Sequence, residues 1–75
     1  MKHNLIVRST VIDWPTSTME ITTMADNKHT LTLDTIIDVH MIGFPAEERK
    51  TMTARELGDY MSQGYIIQQI DFEEE

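Results

Sequence analysis

The strongest structural signal in the chain lies in residues 52–72, which read MTARELGDYMSQGYIIQQIDF. Thr53 followed by Glu56 forms the pattern of a capping box, in which each residue's side chain accepts a hydrogen bond from the other's backbone amide. Met52 before the cap and Leu57 at the fourth helical position have the spacing of a hydrophobic staple. The pattern therefore predicts a helix whose N-cap is Thr53.

The predicted helix is short and has one apolar face. Its apolar side chains recur at helical spacing, namely Ala54, Leu57 and Met61, with Tyr60 beside them. Gly64 supplies the left-handed residue that ends such a helix, and Tyr65 is placed to contact Tyr60 across this cap. Gly58 costs the helix about 1 kcal/mol relative to alanine, which indicates that another backbone comes close at that point.

Residues 65–72 follow the helix with the β-branched and aromatic composition of a strand. Strict alternation places Ile66, Ile70 and Phe72 on one face and Tyr65 and Ile67 on the other.

Two more β segments precede the helix. Residues 3–12 predict a strand that Pro15 terminates, with Leu5, Val7 and Val11 on one face and Ile6, Ile12 and Trp14 on the other. Residues 18–33 alternate with period two on both sides of an Ala-Asp-Asn-Lys turn at 25–28, and therefore predict a hairpin.

Residues 34–42 suit either a strand or a helix. As a strand they continue the preceding alternation, and as a helix they offer Leu33, Ile36, Ile37 and Met41 on one face. Four β-branched aliphatic residues favour the strand, because such side chains lose χ1 freedom in a helix. Gly43-Phe44-Pro45 ends the segment, and residues 46–51 are expected to be a charged loop.

The expected fold is α+β, a small antiparallel sheet in the order β-β-β-α-β with one helix packed on one face. A single short helix leaves the opposite face of the sheet uncovered. That face would carry exposed apolar side chains, drawn from Ile6, Ile12, Trp14, Met24 and either Ile36 or Ile42. An uncovered apolar set of this kind is typical of a binding surface or an oligomer interface.

Length and charge restrict the function further. The 75 residues suffice for one domain, expected over residues 1–72, with 73–75 as an acidic C-terminal tail. The formal net charge of −7 disfavours direct contact with nucleic acid or an anionic membrane, and attracts basic protein surfaces. The chain has no cysteine and no apolar run that could span a bilayer or form a signal-peptide core, so we expect a cytoplasmic protein.

The sequence carries no catalytic motif, and we expect neither an enzyme nor a bound cofactor or metal. The closest approach to a site is Asp38 and His40, which would share one face of a strand, with Asp34 or His29 as a third member. We interpret Asp38 and His40 as a solvent-facing pair. A helix over this segment would separate the two side chains.

Residues 53–70, with a capped helix, Gly64-Tyr65 and a closing strand, are similar in outline to uncharacterised bacterial families of small β-rich proteins. In element order the chain also resembles small phage proteins that bind and inhibit host enzymes, including acidic inhibitors of uracil-DNA glycosylase. The resemblance assigns no functional residue.

These features predict a small acidic, non-enzymatic binding protein. Its specific form would be an inhibitor encoded by a phage or mobile element, docking on a basic surface of a host nucleic-acid enzyme or defence protein. The expected contacts are two apolar anchors and three acids that supply the field, namely Trp14, Met24, Asp71, Glu73 and Glu74. The alternative is a structural homo-oligomer, such as a homodimer, assembled through the uncovered sheet face or a sheet edge.

Overall fold

A computed structural model describes residues 1–45 and 48–73. The elements in chain order are β1 (Lys2–Asp13), β2 (Thr18–Thr23), β3 (Lys28–Thr32), β4 (Ile36–Met41), β5 (Lys50–Thr53), α1 (Ala54–Ser62) and β6 (Ile67–Glu73). The strands form one six-stranded sheet in the order β3-β2-β1-β6-β4-β5, and every neighbouring pair is antiparallel. The predicted α+β class, with one helix on an antiparallel sheet, is confirmed.

The sheet contains more strands than the predicted order allowed. The strand interpretation of residues 34–42 is correct over Ile36–Met41. A turn separates this strand from β3, and in this turn the Thr35 amide donates to the Thr32 carbonyl oxygen at 3.1 Å. The predicted loop at 46–51 is wrong at its end, since β5 begins at Lys50. β5 was missed because its four residues place only Met52 in the core, too little to create an alternation.

β-Bulges change which residues face the core. β1 shifts register against β2 between Val7 and Ser9. The extra residue reverses the alternation, so Ile12 packs against the same core as Leu5 while Val11 is exposed. The predicted face of β1, which grouped Val11 with Leu5, is therefore wrong beyond the bulge.

A second shift lies between β4 and β6, where His40 pairs with Gln69 but Met41 pairs with Ile67. It turns Ile67 toward the core beside Ile70, and leaves Ile66 exposed. The predicted grouping of Ile66 with Ile70 is wrong for the same physical reason.

The core lies between the helix and the inner face of the sheet. Its fully buried side chains of largest volume are Met19, Ile21, Leu33, Ile37, Met41, Leu57, Ile70 and Val39. Gly58 lets the helix pack closely against the end of β1. A Cβ atom at this position would lie 2.6 Å from Ile12 Cδ1 and 3.5 Å from the Trp14 ring. The close neighbours are therefore side chains of β1 and the following turn, and not the backbone that the sequence led us to expect.

The predicted helix ends are confirmed. The Thr53 hydroxyl accepts from the Glu56 amide at 3.2 Å, and the Glu56 carboxylate accepts from the Thr53 amide at 3.2 Å. Gly64 has a φ of +94°, and the rings of Tyr60 and Tyr65 meet edge to face at 5.5 Å. Over residues 1–45 and 48–73 the structure has no helix of a length and apolarity that could cross a membrane.

Replacing Thr53 by alanine should lower the free energy of unfolding by about 1 kcal/mol, because the Glu56 amide loses its acceptor. Thr53→Ser keeps the hydroxyl and should retain most of that stability. Urea denaturation followed by circular dichroism compares the two variants with the wild type. Equal losses in both variants would show that the Thr53 hydroxyl contributes nothing to the stability.

Candidate binding surface on the open sheet face

The helix covers one face of the sheet, and the described residues place no second layer on the other face, which we call the outer face. Side chains alternate between the two faces along β1, β6, β4 and β5, and this alternation shows which residues lie on the outer face. They are Lys2, Asn4 and Ile6 from β1, Gln69, Asp71 and Glu73 from β6, Ile36, Asp38 and His40 from β4, and Thr51 and Thr53 from β5. The face is open to solvent, as its exposed Ile6 and Ile36 show.

Three carboxylates meet on this outer face. Asp38 lies directly opposite Asp71 on the neighbouring strand, and the same register puts Ile36 beside Glu73. They border a shallow groove of about 500 Å³ lined by Lys2, Thr35, Ile36, Ile37, Asp38, Thr51, Asp71, Phe72 and Glu73. We call this depression the acidic groove. Asp71 and Glu73 are close in sequence, and the sheet register adds Asp38 beside them.

Asp71 is the structural member of the acidic groove. Its residue is 8% exposed, and its carboxylate accepts from Arg49 Nη1 at 2.9 Å and from Gln69 Nε2 at 3.0 Å. These partners satisfy a nearly buried charge that would otherwise be costly beside Asp38. Asp71 therefore forms part of the groove wall, and little of its carboxylate is accessible to another molecule.

Asp38 and Glu73 are the more available acids. The Thr51 hydroxyl donates to Asp38 and fixes its carboxylate on the outer face. Glu73, assigned from sequence to the tail, is the last residue of β6, lies opposite Lys2 and is exposed. Glu74, which was also expected to contact a partner, lies outside the described residues.

Most of the protein's own cations are already engaged by acids. The ion pairs among the described residues include Arg8–Asp26, Lys28–Glu20, Arg49–Asp71, Lys50–Glu48 and Arg55–Asp34. The acidic groove contains three carboxylates and, counting Arg49 at its rim, two cations, so it carries a formal negative charge. A cation supplied by another molecule would complement it.

Apolar side chains flank the acidic groove along the outer face. Ile36 lies within its lining, and Ile6 lies across from Gln69 on the neighbouring strand. Beyond them, the Ile42 amide donates to the Ile66 carbonyl oxygen at 2.9 Å, and both side chains are exposed. Ile66 belongs to this set only because of the bulge in β6, which strict alternation could not reveal.

Asp38 and His40 share the outer face, as the strand interpretation required. The two possible third members lie elsewhere: Asp34 pairs with Arg55 at 3.6 Å, and the His29 ring lies 6.4 Å from that of Phe72. His40 Nε2 is buried and has no hydrogen-bond partner in the described structure, so the interpretation of a solvent-facing pair is wrong for this nitrogen. Across the described residues no three histidine, aspartate or glutamate side chains are grouped so that they could hold a metal ion.

The structure separates the two expected apolar anchors. Trp14, 55% exposed, lies in the turn after β1 and leans on Gly58 of the helix. Met24, 63% exposed, lies at the opposite end of the β1–β2 ladder, where its amide donates to the Ile6 carbonyl oxygen at 3.0 Å. Met24 therefore adjoins the apolar part of the outer face, whereas Trp14 belongs to a different surface.

Searches of family models, curated proteins and solved structures found no match to this chain.

Proposed function

We propose that this protein is a non-enzymatic binding protein that docks the outer face of its sheet on a basic surface of another protein. Asp38 and Glu73 would contact cationic groups of the partner, while Ile36, Ile6 and Met24 would contact apolar groups around them. A host nucleic-acid enzyme or defence protein offers a basic surface of this kind. The absence of cysteine suits a reducing compartment, so we place this activity in the cytoplasm.

The observation that carries the proposal is the convergence of Asp38, Asp71 and Glu73 on an open sheet face that also exposes isoleucine. Interfaces combine apolar contact area, which supplies affinity, with complementary charge, which supplies specificity and a fast encounter. The outer face has both. Its Asp71–Arg49 pair is already formed in the free protein, so this part of the surface needs no ordering on binding.

A homo-oligomer assembled through the outer face or a sheet edge is the alternative, and the two outermost strands of the sheet disfavour the second route. The two edge strands, β3 and β5, have five and four residues, and each carries a lysine, Lys28 and Lys50. Short strands and lysine side chains are features that keep sheet edges from pairing with another copy. We expect a monomer by light scattering at micromolar concentration, and a dimer would favour the alternative.

The proposal predicts that neutralising the acidic groove weakens binding to a cationic probe. Asp38→Asn with Glu73→Gln should weaken the affinity for hexa-arginine about tenfold at low salt, because ~0.2–1 kcal/mol is lost for each exposed charge pair, more where a network is disrupted. Isothermal titration calorimetry measures the affinity. The control is Glu20→Gln with Asp26→Asn, which changes the net charge equally at two ion-paired acids that do not line the groove.

Two results would contradict the proposal. Equal losses in the two double variants would mean that the probe senses net charge alone. An affinity that stays constant as the salt concentration rises would remove the electrostatic component, since exposed charge interactions weaken with ionic strength.

A further inference from the structure

β1 has a backbone edge that its neighbours leave unpaired. Its twelve residues pair with β6 only over Lys2–Ile6, and with β2 only over Val7–Asp13. Within residues 1–45 and 48–73, the side of β1 that faces β6 therefore has no strand partner beyond Ile6. The two strands diverge there, and the unpaired edge covers about six residues, or ~20 Å of extended chain.

Two depressions of about 270 Å³ each follow this edge. One depression lies between the first part of the free edge and the start of β6, and its lining is Val7, Arg8, Ser9, Thr10, Met61, Tyr65, Ile66 and Ile67. The other lies between the end of β1 and the helix, and its lining is Ile12, Trp14, Gly58, Met61 and Ser62. Met61 borders both depressions, and the Thr10 hydroxyl donates to its sulfur at 3.1 Å. This contact separates the two depressions, which both lie between β1 and the last turn of α1 and which we together call the edge groove.

The Trp14 end of the edge groove has an apolar floor, and two unpaired carboxylates adjoin the residues that line it. Gly58 brings the helix close enough for Ile12 and the Trp14 ring to lie against it. Asp13 precedes Trp14 and Asp59 follows Gly58, and neither carboxylate forms a hydrogen bond or ion pair with any described residue. At the other end, Arg8 is already paired with Asp26. This charge distribution complements a cationic occupant.

We propose that the edge groove binds an extended, basic segment of another protein as an added β-strand beside Arg8–Asp13. Backbone hydrogen bonds to the free edge supply affinity, and alternate side chains supply specificity. An apolar side chain of the segment lies over Ile12 and Trp14, and a lysine or arginine approaches Asp13 or Asp59. The inference rests on the proposed binding function and adds a second surface, separate from the acidic groove.

A six-residue peptide, acetyl-Lys-Val-Lys-Val-Lys-Val-amide, tests the inference. Trp14 is the only tryptophan in the chain, so a saturable change in its fluorescence reports occupancy of the groove directly. Hydrogen exchange followed by NMR should show alternate amides of Arg8–Asp13 exchanging rapidly in the free protein and protected when the peptide is bound. Asp13→Asn with Asp59→Asn should weaken peptide binding several-fold.

The matched control is the same peptide with alternate backbone nitrogens methylated, which keeps every side chain and charge but removes the donors. It should bind at least tenfold more weakly. Equal binding of both peptides, or protection outside β1, would overturn strand addition. Protection that rises with protein concentration in the absence of peptide would overturn it as well, since a second copy would then occupy the edge.

The acidic-groove proposal and the edge-groove inference can be refuted independently of each other. Asp38→Asn with Glu73→Gln should leave the affinity for the Lys-Val peptide within about twofold, because the acidic groove lies on the opposite face of the sheet from the helix. If that variant loses hexa-arginine binding while the Lys-Val peptide never protects β1, the edge-groove inference falls and the proposed function stands. If only the Lys-Val peptide binds, the acidic groove is not the docking surface.

Discussion

Replacing Ile67 by aspartate is expected to unfold most of the protein at 25 °C, whereas the same change at Ile66 should alter the free energy of unfolding by about 0.5 kcal/mol or less. Ile67 is 8% exposed and Ile66 is 62% exposed. A buried, unpaired carboxylate costs several kcal/mol. A domain of this length has roughly 4–11 kcal/mol of total stability, so the loss consumes most of it.

Thermal and urea denaturation, followed by circular dichroism, compares the two variants. They have the same composition and differ by one position, so net charge and helix content cannot explain a difference between them. The reverse result, with Ile66→Asp unfolded and Ile67→Asp stable, would mean that β6 alternates without a bulge. Ile66 would then leave the outer face and the apolar surface would lose a member.

The second large effect is expected at Leu57, the fully buried side chain by which the helix enters the core. Leu57→Ala should lower the free energy of unfolding by about 3 kcal/mol, because it removes apolar burial and leaves a cavity that a sheet cannot readily close. Leu57→Met conserves volume and should cost less than about 1.5 kcal/mol. Urea titration gives both values.

The Leu57 variants also separate stability from binding. Leu57 and the acidic groove lie on opposite faces of the sheet, so folded Leu57→Ala should bind hexa-arginine with wild-type affinity within about twofold. A parallel loss of both properties would indicate that the outer face depends on helix packing, and would weaken the assignment of the groove acids as direct contacts.

The helix and its two ends could be predicted from sequence because their determinants are local. The capping box at Thr53 and Glu56, and the left-handed residue Gly64, depend on neighbours within a few positions. The hairpin turn at 25–28 was predictable for the same reason, and the structure places Asp26 there with a φ of +64°.

What failed depends on partners distant in sequence. A bulge is defined by the opposite strand, so nothing in residues 3–12 marks the point at which Ile12 turns toward the core. β5 exists because Met52 pairs with Ile37 and completes an edge, not because its residues have strong strand propensity. The burial of Asp71 beside Arg49 is likewise a product of sheet register and loop position.

The same limit applies to the binding surface. Asp71 and Glu73 were predicted as partner contacts from the sequence because they are acidic. The structure adds Asp38, which lies on a strand that is distant from them in sequence. It also places Met24 near the outer face and Trp14 beside the helix. An exposed tryptophan and an exposed methionine suggested one contact pair, but the length of the β1–β2 ladder keeps them apart.

The most direct test of the acidic groove is an NMR titration of ¹⁵N-labelled protein with hexa-arginine at low salt. We expect saturable chemical-shift changes that are largest for the amides of Ile36–His40 in β4 and Gln69–Glu73 in β6. In Asp38→Asn with Glu73→Gln the same shifts should need about ten times more hexa-arginine to reach half-saturation. Shifts of similar size at Glu20 and Asp26, or largest shifts away from β4 and β6, would contradict a docking surface on the outer face of the sheet.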